Sequence, residues 1–77
     1  MANLSVIFTN NALNKMRSLY LTESSVLDAF NKGEIEKSNF GGYKAIKKYP
    51  GYEIGVLYDR KPTGEWMIIS VWKRDRR

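Results

Sequence analysis

A chain of 77 residues with net charge +5 and neither cysteine nor histidine builds one small core, near the lower size at which a domain holds together without staples. The missing cysteine excludes disulfides, thiolate metal sites and thiol nucleophiles. The missing histidine excludes Ser-His-Asp and histidine-dependent nuclease chemistry within the chain.

The elements read in chain order as follows. Ser5–Thr9 is short, apolar and partly β-branched, a strand. Thr9, Asn10 and Asn11 each offer an N-cap for a helix whose apolar stripe is Ala12, Leu13, Met16, Leu19 and Tyr20. Thr22 caps a second helix, with Glu23 in the first turn where the helix dipole favours an acid. Val26, Leu27 and Phe30 form its stripe, and Gly33 stands where a left-handed C-terminal cap is expected. The period then changes from helical to alternating. Ile35–Ser38 is a short strand, with the Glu34/Glu36 pair a solvated strand start rather than a metal site. Phe40-Gly41-Gly42 is a break. Tyr43–Tyr49 and Tyr52–Tyr58 are strands joined by the turn dipeptide Pro50-Gly51. Asp59–Glu65 is a longer hairpin loop, and Trp66–Lys73 is the most strand-like run. Residues 1–77 are one domain, with Asp75-Arg76-Arg77 a frayed tail.

No apolar run reaches the roughly 20 residues that span a membrane, and no basic segment precedes a long apolar one as in a signal peptide. A cytoplasmic protein is the expectation.

All the net charge lies in the second half. Cations and acids balance up to Gly42, whereas nine cations face four acids from Tyr43 onward. Tyr43, Tyr49, Tyr52, Tyr58, Trp66 and Trp72 are interleaved with them. Basic surfaces attract phosphate and aromatic faces stack on unpaired bases, so the pattern points to RNA or single-stranded nucleic acid. The plainer reading is a solvated basic face over an aromatic core. Pairing Tyr49 with Tyr52 and Tyr58 with Trp66 sorts the strands into two faces. Ile46, Leu57, Met67, Ile69 and Val71 form an aliphatic face suited to the helices. Tyr43, Lys47, Tyr49, Tyr52, Ile54, Val56, Tyr58, Trp66, Ile68, Ser70, Trp72 and Arg74 form an open, aromatic and basic face. Trp66 and Trp72 could equally close a small core or a dimer interface.

The segments Val6-Ile7-Phe8-Thr9-Asn10-Asn11-Ala12 and Leu21-Thr22-Glu23-Ser24-Ser25-Val26 resemble the opening of a family of small domains. Those domains are grouped with the barnase–EndoU–colicin–RelE ribonuclease toxins. Their pattern is a strand, Thr-x-His-Ala opening a helix, then Arg-x-Ile-(Ser/Thr) before a second helix. The resemblance implies an α+β fold: a short N-terminal strand, two helices, then an antiparallel sheet of three to four strands, RelE-like. The family's His position falls on Asn11 and its Arg position on Leu19.

The resemblance further implies metal-independent RNA cleavage, in which the ribose 2′-OH attacks the adjacent phosphate, with no cofactor. Lys47 and Arg74 are then the candidate phosphate stabilisers. Tyr43 or Tyr58 would position a base or proton, and Trp72 would stack. Lys44, Lys48, Arg60, Lys61 and Lys73 would attract the RNA backbone. The implied partners are RNA, free or on the ribosome, and an acidic antitoxin covering the basic face; a homodimer is compatible. The replaced His and Arg positions leave a second reading: an inactive binding module on the same scaffold, taking a protein or a nucleic acid. The bland readings are also concrete. Lys44, Lys47 and Lys48 guard an edge strand, Arg60 and Lys61 are a solvated loop, and Glu53 pairs across the hairpin with Lys48.

Overall fold

The computed structural model describes residues 6–39 and 41–75. The elements are β1 Val6–Phe8, α1 Asn10–Leu19, α2 Glu23–Lys32, β2 Glu34–Lys37, β3 Tyr43–Tyr49, β4 Tyr52–Arg60 and β5 Trp66–Asp75. The fold is α+β, with the expected order of strand, two helices and sheet. The sheet is larger than three to four strands and is mixed. Its order is β1-β5-β4-β3-β2, with β1 parallel to β5 and every other pair antiparallel. The apolar triplet Val6-Ile7-Phe8 joins because β5 would otherwise present an open edge, and Val6 and Phe8 pack against the core. Of the tail expected to fray, Asp75 instead pairs with Tyr52; Arg76 and Arg77, like Ser5 and Phe40, lie outside the described residues. Among the described residues no helix is long and apolar enough to cross a membrane.

Of the three cap candidates, Thr9 caps α1. Its hydroxyl accepts from the Ala12 N–H at 3.2 Å. Thr22 caps α2 in the same way through the Ser25 N–H at 3.1 Å. Each cap satisfies a helix-end donor and is worth about 1 kcal/mol. The C-terminal caps depart from expectation. Gly33 has φ −73° and ψ 163°, extended rather than left-handed. Glycine is needed there for space: a Cβ would lie 2.6 Å from the Ala29 carbonyl and 2.9 Å from Ile46 backbone atoms. The left-handed cap is Tyr20, φ 57°, at the end of α1. Tyr20 is 93% exposed, so it leaves the stripe that periodicity gave it. The buried residues of α1 are Ala12 and Met16; those of α2 are Val26, Ala29 and Phe30.

Both helices lie on one side of the sheet. There they cover Ala45, Ile54, Val56, Tyr58, Ile68 and Val71, all at most 3% exposed. Tyr49 pairs with Tyr52 as expected. In the second hairpin, however, Trp66 pairs with Arg60 and Tyr58 with Ile68. Leu57 then pairs with Ser70, which leaves Ile69 as an extra residue without a partner on β4. This β-bulge reverses the facing of everything after it. Val71 and Lys73 turn to the helices, while Ser70, Trp72 and Arg74 turn to the uncovered face. The face expected to lie open is therefore the helix-covered one, stripped of Ser70, Trp72 and Arg74. Its centre of Ala45, Ile54, Val56, Ile68 and Val71 is a more continuous aliphatic surface than Ile46, Leu57 and Met67, which remain half-buried on the far side.

The Ile69 carbonyl freed by the bulge does not go unpaired. It accepts from the Thr9 hydroxyl at 2.9 Å and from the Asn11 amide at 3.1 Å. On the uncovered face Trp72 lies against Gly55, where any Cβ would overlap ring carbons Cε2 and Cζ2.

Two substitutions test this account by chemical denaturation. Tyr20→Gly should stabilise the chain by about 0.5–1 kcal/mol, because glycine adopts a left-handed cap without the Cβ penalty. Gly55→Ala should destabilise it by about 1–3 kcal/mol, because the methyl must displace Trp72.

Candidate nucleic-acid interface

Charge and aromatic surface coincide on the helix side of the sheet. Strand registers place Lys37, Lys47, Arg60 and Lys73 on that side, with Asp75 the one acid contributed by the described strand residues. Phe8, Tyr43, Tyr49, Tyr52, Tyr58 and Trp66 share it. The far side carries Lys44, Lys48 and Arg74 against Glu34, Glu36 and Glu53, while Asp59, near the end of β4, also borders a notch beside Arg60 on the helix side. On the far side the charges neutralise one another across strands: Lys44 lies 3.8 Å from Glu36 and Arg74 4.0 Å from Glu53.

The helices fill the middle of the basic side, and a partly exposed aromatic group lies at each end. At the β3–β4 hairpin, Tyr49 and Tyr52 stack with centroids 5.0 Å apart and planes 13° off parallel. The Lys47 ammonium lies 5.0 Å from the Tyr49 ring centre, and the Lys73 ammonium 4.9 Å from that of Tyr52. Between this pair and α2 runs a cleft of about 720 Å³, with Asp28, Ser24 and Asn31 on its other wall. The Tyr49 hydroxyl donates to Asp28 Oδ2 at 2.7 Å, and Lys32 bridges Asp28 at 3.2 Å.

At the opposite end, Ile35, Tyr43, Tyr58, Trp66, Asp59 and Arg60 line a notch of about 380 Å³. Tyr43 stacks on Tyr58 at 5.8 Å, and Phe30 and Trp66 meet Tyr58 edge-on at 4.8 and 5.5 Å. The Arg60 guanidinium lies 5.2 Å from the Trp66 ring centre. Each of these three cation–π contacts is worth about 0.5–1 kcal/mol at an exposed site. Each also holds a cation within the aromatic group at its end of the sheet.

The structure divides the residues singled out from the sequence. Tyr43, Lys47, Arg60 and Lys73 lie on the helix side. Lys44, Lys48, Trp72 and Arg74 lie on the far side. Lys61 sits in the β4–β5 loop, its N–H bonded to the Glu65 carbonyl. Lys47 and Arg74 therefore cannot meet on one phosphate: the bulge at Ile69 puts the sheet between them. Tyr58 is core, 3% exposed. Asn11, at the family's His position, is engaged with the Ile69 carbonyl, and Leu19, at its Arg position, is half-buried. Lys37, Tyr49, Tyr52 and Trp66 complete the basic side; sequence alternation puts the three aromatic residues on that face without giving them a role, and it misses Lys37. The pattern Lys-x-Tyr-Pro-Gly-Tyr, read with the hairpin register, is the signal that sets Tyr49 and Tyr52 side by side. Among the described residues no three acidic side chains cluster as metal ligands. Comparison with known protein families, with curated proteins and with solved structures finds no match for this chain.

The hydrogen bond at the cleft fixes two ionisations. Burial, and then the Asp28 carboxylate, push the Tyr49 phenol up to about 12. The bond from Tyr49, and then that from Lys32, hold Asp28 below the usual carboxylate range. An unfolded tyrosine loses its proton near 10, so above that pH the unfolded chain binds fewer protons than the folded one and stability falls. The stabilisation is whole below about pH 10 and is lost as pH rises through about 12. In Tyr49→Phe this part of the alkaline loss should vanish, and the Asp28 carboxyl should titrate higher in a carbon-detected NMR titration.

Proposed function

We propose that this chain binds single-stranded RNA along the helix side of its sheet, without cleaving it. The observation that carries the reading is the segregation of charge: four strand cations and six aromatic residues share one side, and three of those cations already stand over rings. Bases would stack at the Tyr43/Trp66 notch and beside the Tyr49/Tyr52 pair. Phosphates would lie on Arg60, Lys37, Lys47 and Lys73, with Lys61 adding long-range attraction. The two groups are separated by the six residue steps from Tyr52 to Tyr58, roughly 20 Å at the strand rise, so a strand engaging both would skirt the helices.

The element order supports a toxin-like scaffold. The positions where that family carries His and Arg argue against chemistry, because Asn11 here ties a backbone carbonyl and Leu19 holds no proton. With Lys47 and Arg74 on opposite faces, the anticipated phosphate clamp has no support either. An acidic antitoxin-like segment is the protein partner this side would accept, and a cytoplasmic setting suits both ligands.

Fluorescence anisotropy of a labelled mixed-sequence RNA at several salt concentrations tests the reading. Affinity should fall with salt at a slope of about −0.7 per phosphate contacted, and Lys47→Ala and Lys73→Ala should each reduce the slope by about that amount. Lys44→Ala, on the far side, should leave it unchanged. No binding at low salt, or equal effects from all three variants, would refute it, and chelator-resistant cleavage would restore the ribonuclease reading.

A further inference from the structure

Building on the single-stranded RNA reading, we propose that the notch at the Tyr43 end of the sheet takes an unpaired guanine of the strand, with the Asp59 carboxylate reading its Watson–Crick edge. Tyr58, almost wholly buried, is the floor of the notch. Tyr43 and Ile35 form the wall towards β2, and Trp66 the wall towards β5. Ile35 is 63% exposed and Tyr43 37%, so two of the large apolar side chains that the described residues leave open meet here. Apolar ring surface gathered in a concavity of about 380 Å³ suits a planar ligand, which it can remove from water on more than one side.

Two charged residues border this apolar notch, Asp59 and Arg60. Asp59 Oδ1 accepts from the Arg60 backbone N–H at 2.8 Å, which holds the carboxylate in place. Among the described residues Oδ2 meets no donor, and neither side chain is in an ion pair. The Arg60 guanidinium, beside Trp66, is available to a phosphate. The other end of the sheet differs: there Asp28 is already engaged by Tyr49 and Lys32. A carboxylate only accepts hydrogen bonds. Guanine is the one base of the four that offers it two adjacent donors, N1–H and the 2-amino group. Adenine and cytosine set a ring-nitrogen lone pair beside their amino group, and uracil flanks its single N–H with carbonyls, so each of these opposes the carboxylate. Paired bonds to an ionised group are the strong ones, and unpaired bases are read at this edge while they stack on aromatic side chains. The rings therefore supply affinity for any base, and Asp59 supplies the choice among them.

Fluorescence anisotropy at low salt tests this, with short labelled oligouridine strands that each carry one central guanosine, inosine, adenosine or cytidine. The guanosine strand should bind about tenfold tighter than the adenosine and cytidine strands, with inosine, which lacks the 2-amino group, in between. In Asp59→Asn, which keeps an acceptor for the Arg60 N–H, the preference for guanosine should vanish while circular dichroism is unaltered. Lys73→Ala, at the other end of the sheet, should weaken every strand and leave the preference intact. GMP alone should displace the guanosine strand only at far higher concentration, since it lacks the further phosphates of a strand. Equal, salt-sensitive binding of all four strands would overturn the guanine assignment and leave the RNA reading standing, whereas no binding of any strand would overturn both. A preference that survives in Asp59→Asn, or GMP bound as tightly as the strand, would overturn the assignment as well.

Discussion

The Ile69 carbonyl is the point on which the arrangement turns. One residue too many on β5 breaks the ladder with β4, and a broken ladder leaves a polar group that must find a partner. The start of α1 supplies it. The Thr9 hydroxyl donates to that carbonyl while accepting from the Ala12 N–H, so one side chain caps the helix and closes the bulge. Asn11 adds a second donor, and the Thr9 N–H bonds the neighbouring Ile68 carbonyl at 3.0 Å. The first helix is thereby fixed to the strand it packs against, across about sixty residues of chain. Without the extra residue, Trp72 and Arg74 would turn under the helices and Val71 would turn to solvent.

The bulge also sorts the chemistry. Lys73 reaches the Tyr52 ring only because it lies after Ile69, and Arg74 faces Glu53 for the same reason. One side becomes basic and aromatic, the other balanced and aliphatic. The tyrosines suit the basic side physically, since each carries an apolar ring for the core and a hydroxyl for its edge. Tyr49 shows both uses, with its ring stacked on Tyr52 and its hydroxyl on Asp28. Tyr58 sits deeper, where burial pushes its phenol up, and serves as floor for Tyr43, Phe30 and Trp66.

Much of the fold was legible in the sequence. Thr22, the two helical stripes and Pro50-Gly51 announce local structure, and local structure answers to local rules. Tyr49 opposite Tyr52 followed from the two-residue turn. What did not follow was any feature set at a distance. Gly33 reads as a left-handed cap from its place after a helix, yet its role is to let the backbone of Ile46 approach. Tyr20 takes the left-handed cap instead, which no propensity favours. The bulge at Ile69 has no signature among Met67-Ile68-Ile69-Ser70-Val71, because every register of that run is apolar on both faces. A shift of one residue there reassigned Trp72, Lys73 and Arg74 together. Of the candidate residues the structure therefore gathers Tyr43, Lys47, Arg60 and Lys73 on one side and sets Lys44, Lys48, Trp72 and Arg74 on the other.

The two sides of the sheet differ in field as well as in cover. On the helix side strand cations exceed strand acids, whereas the far side holds Lys44 with Glu36 and Arg74 with Glu53 in cross-strand pairs, which offer a polyanion little net field.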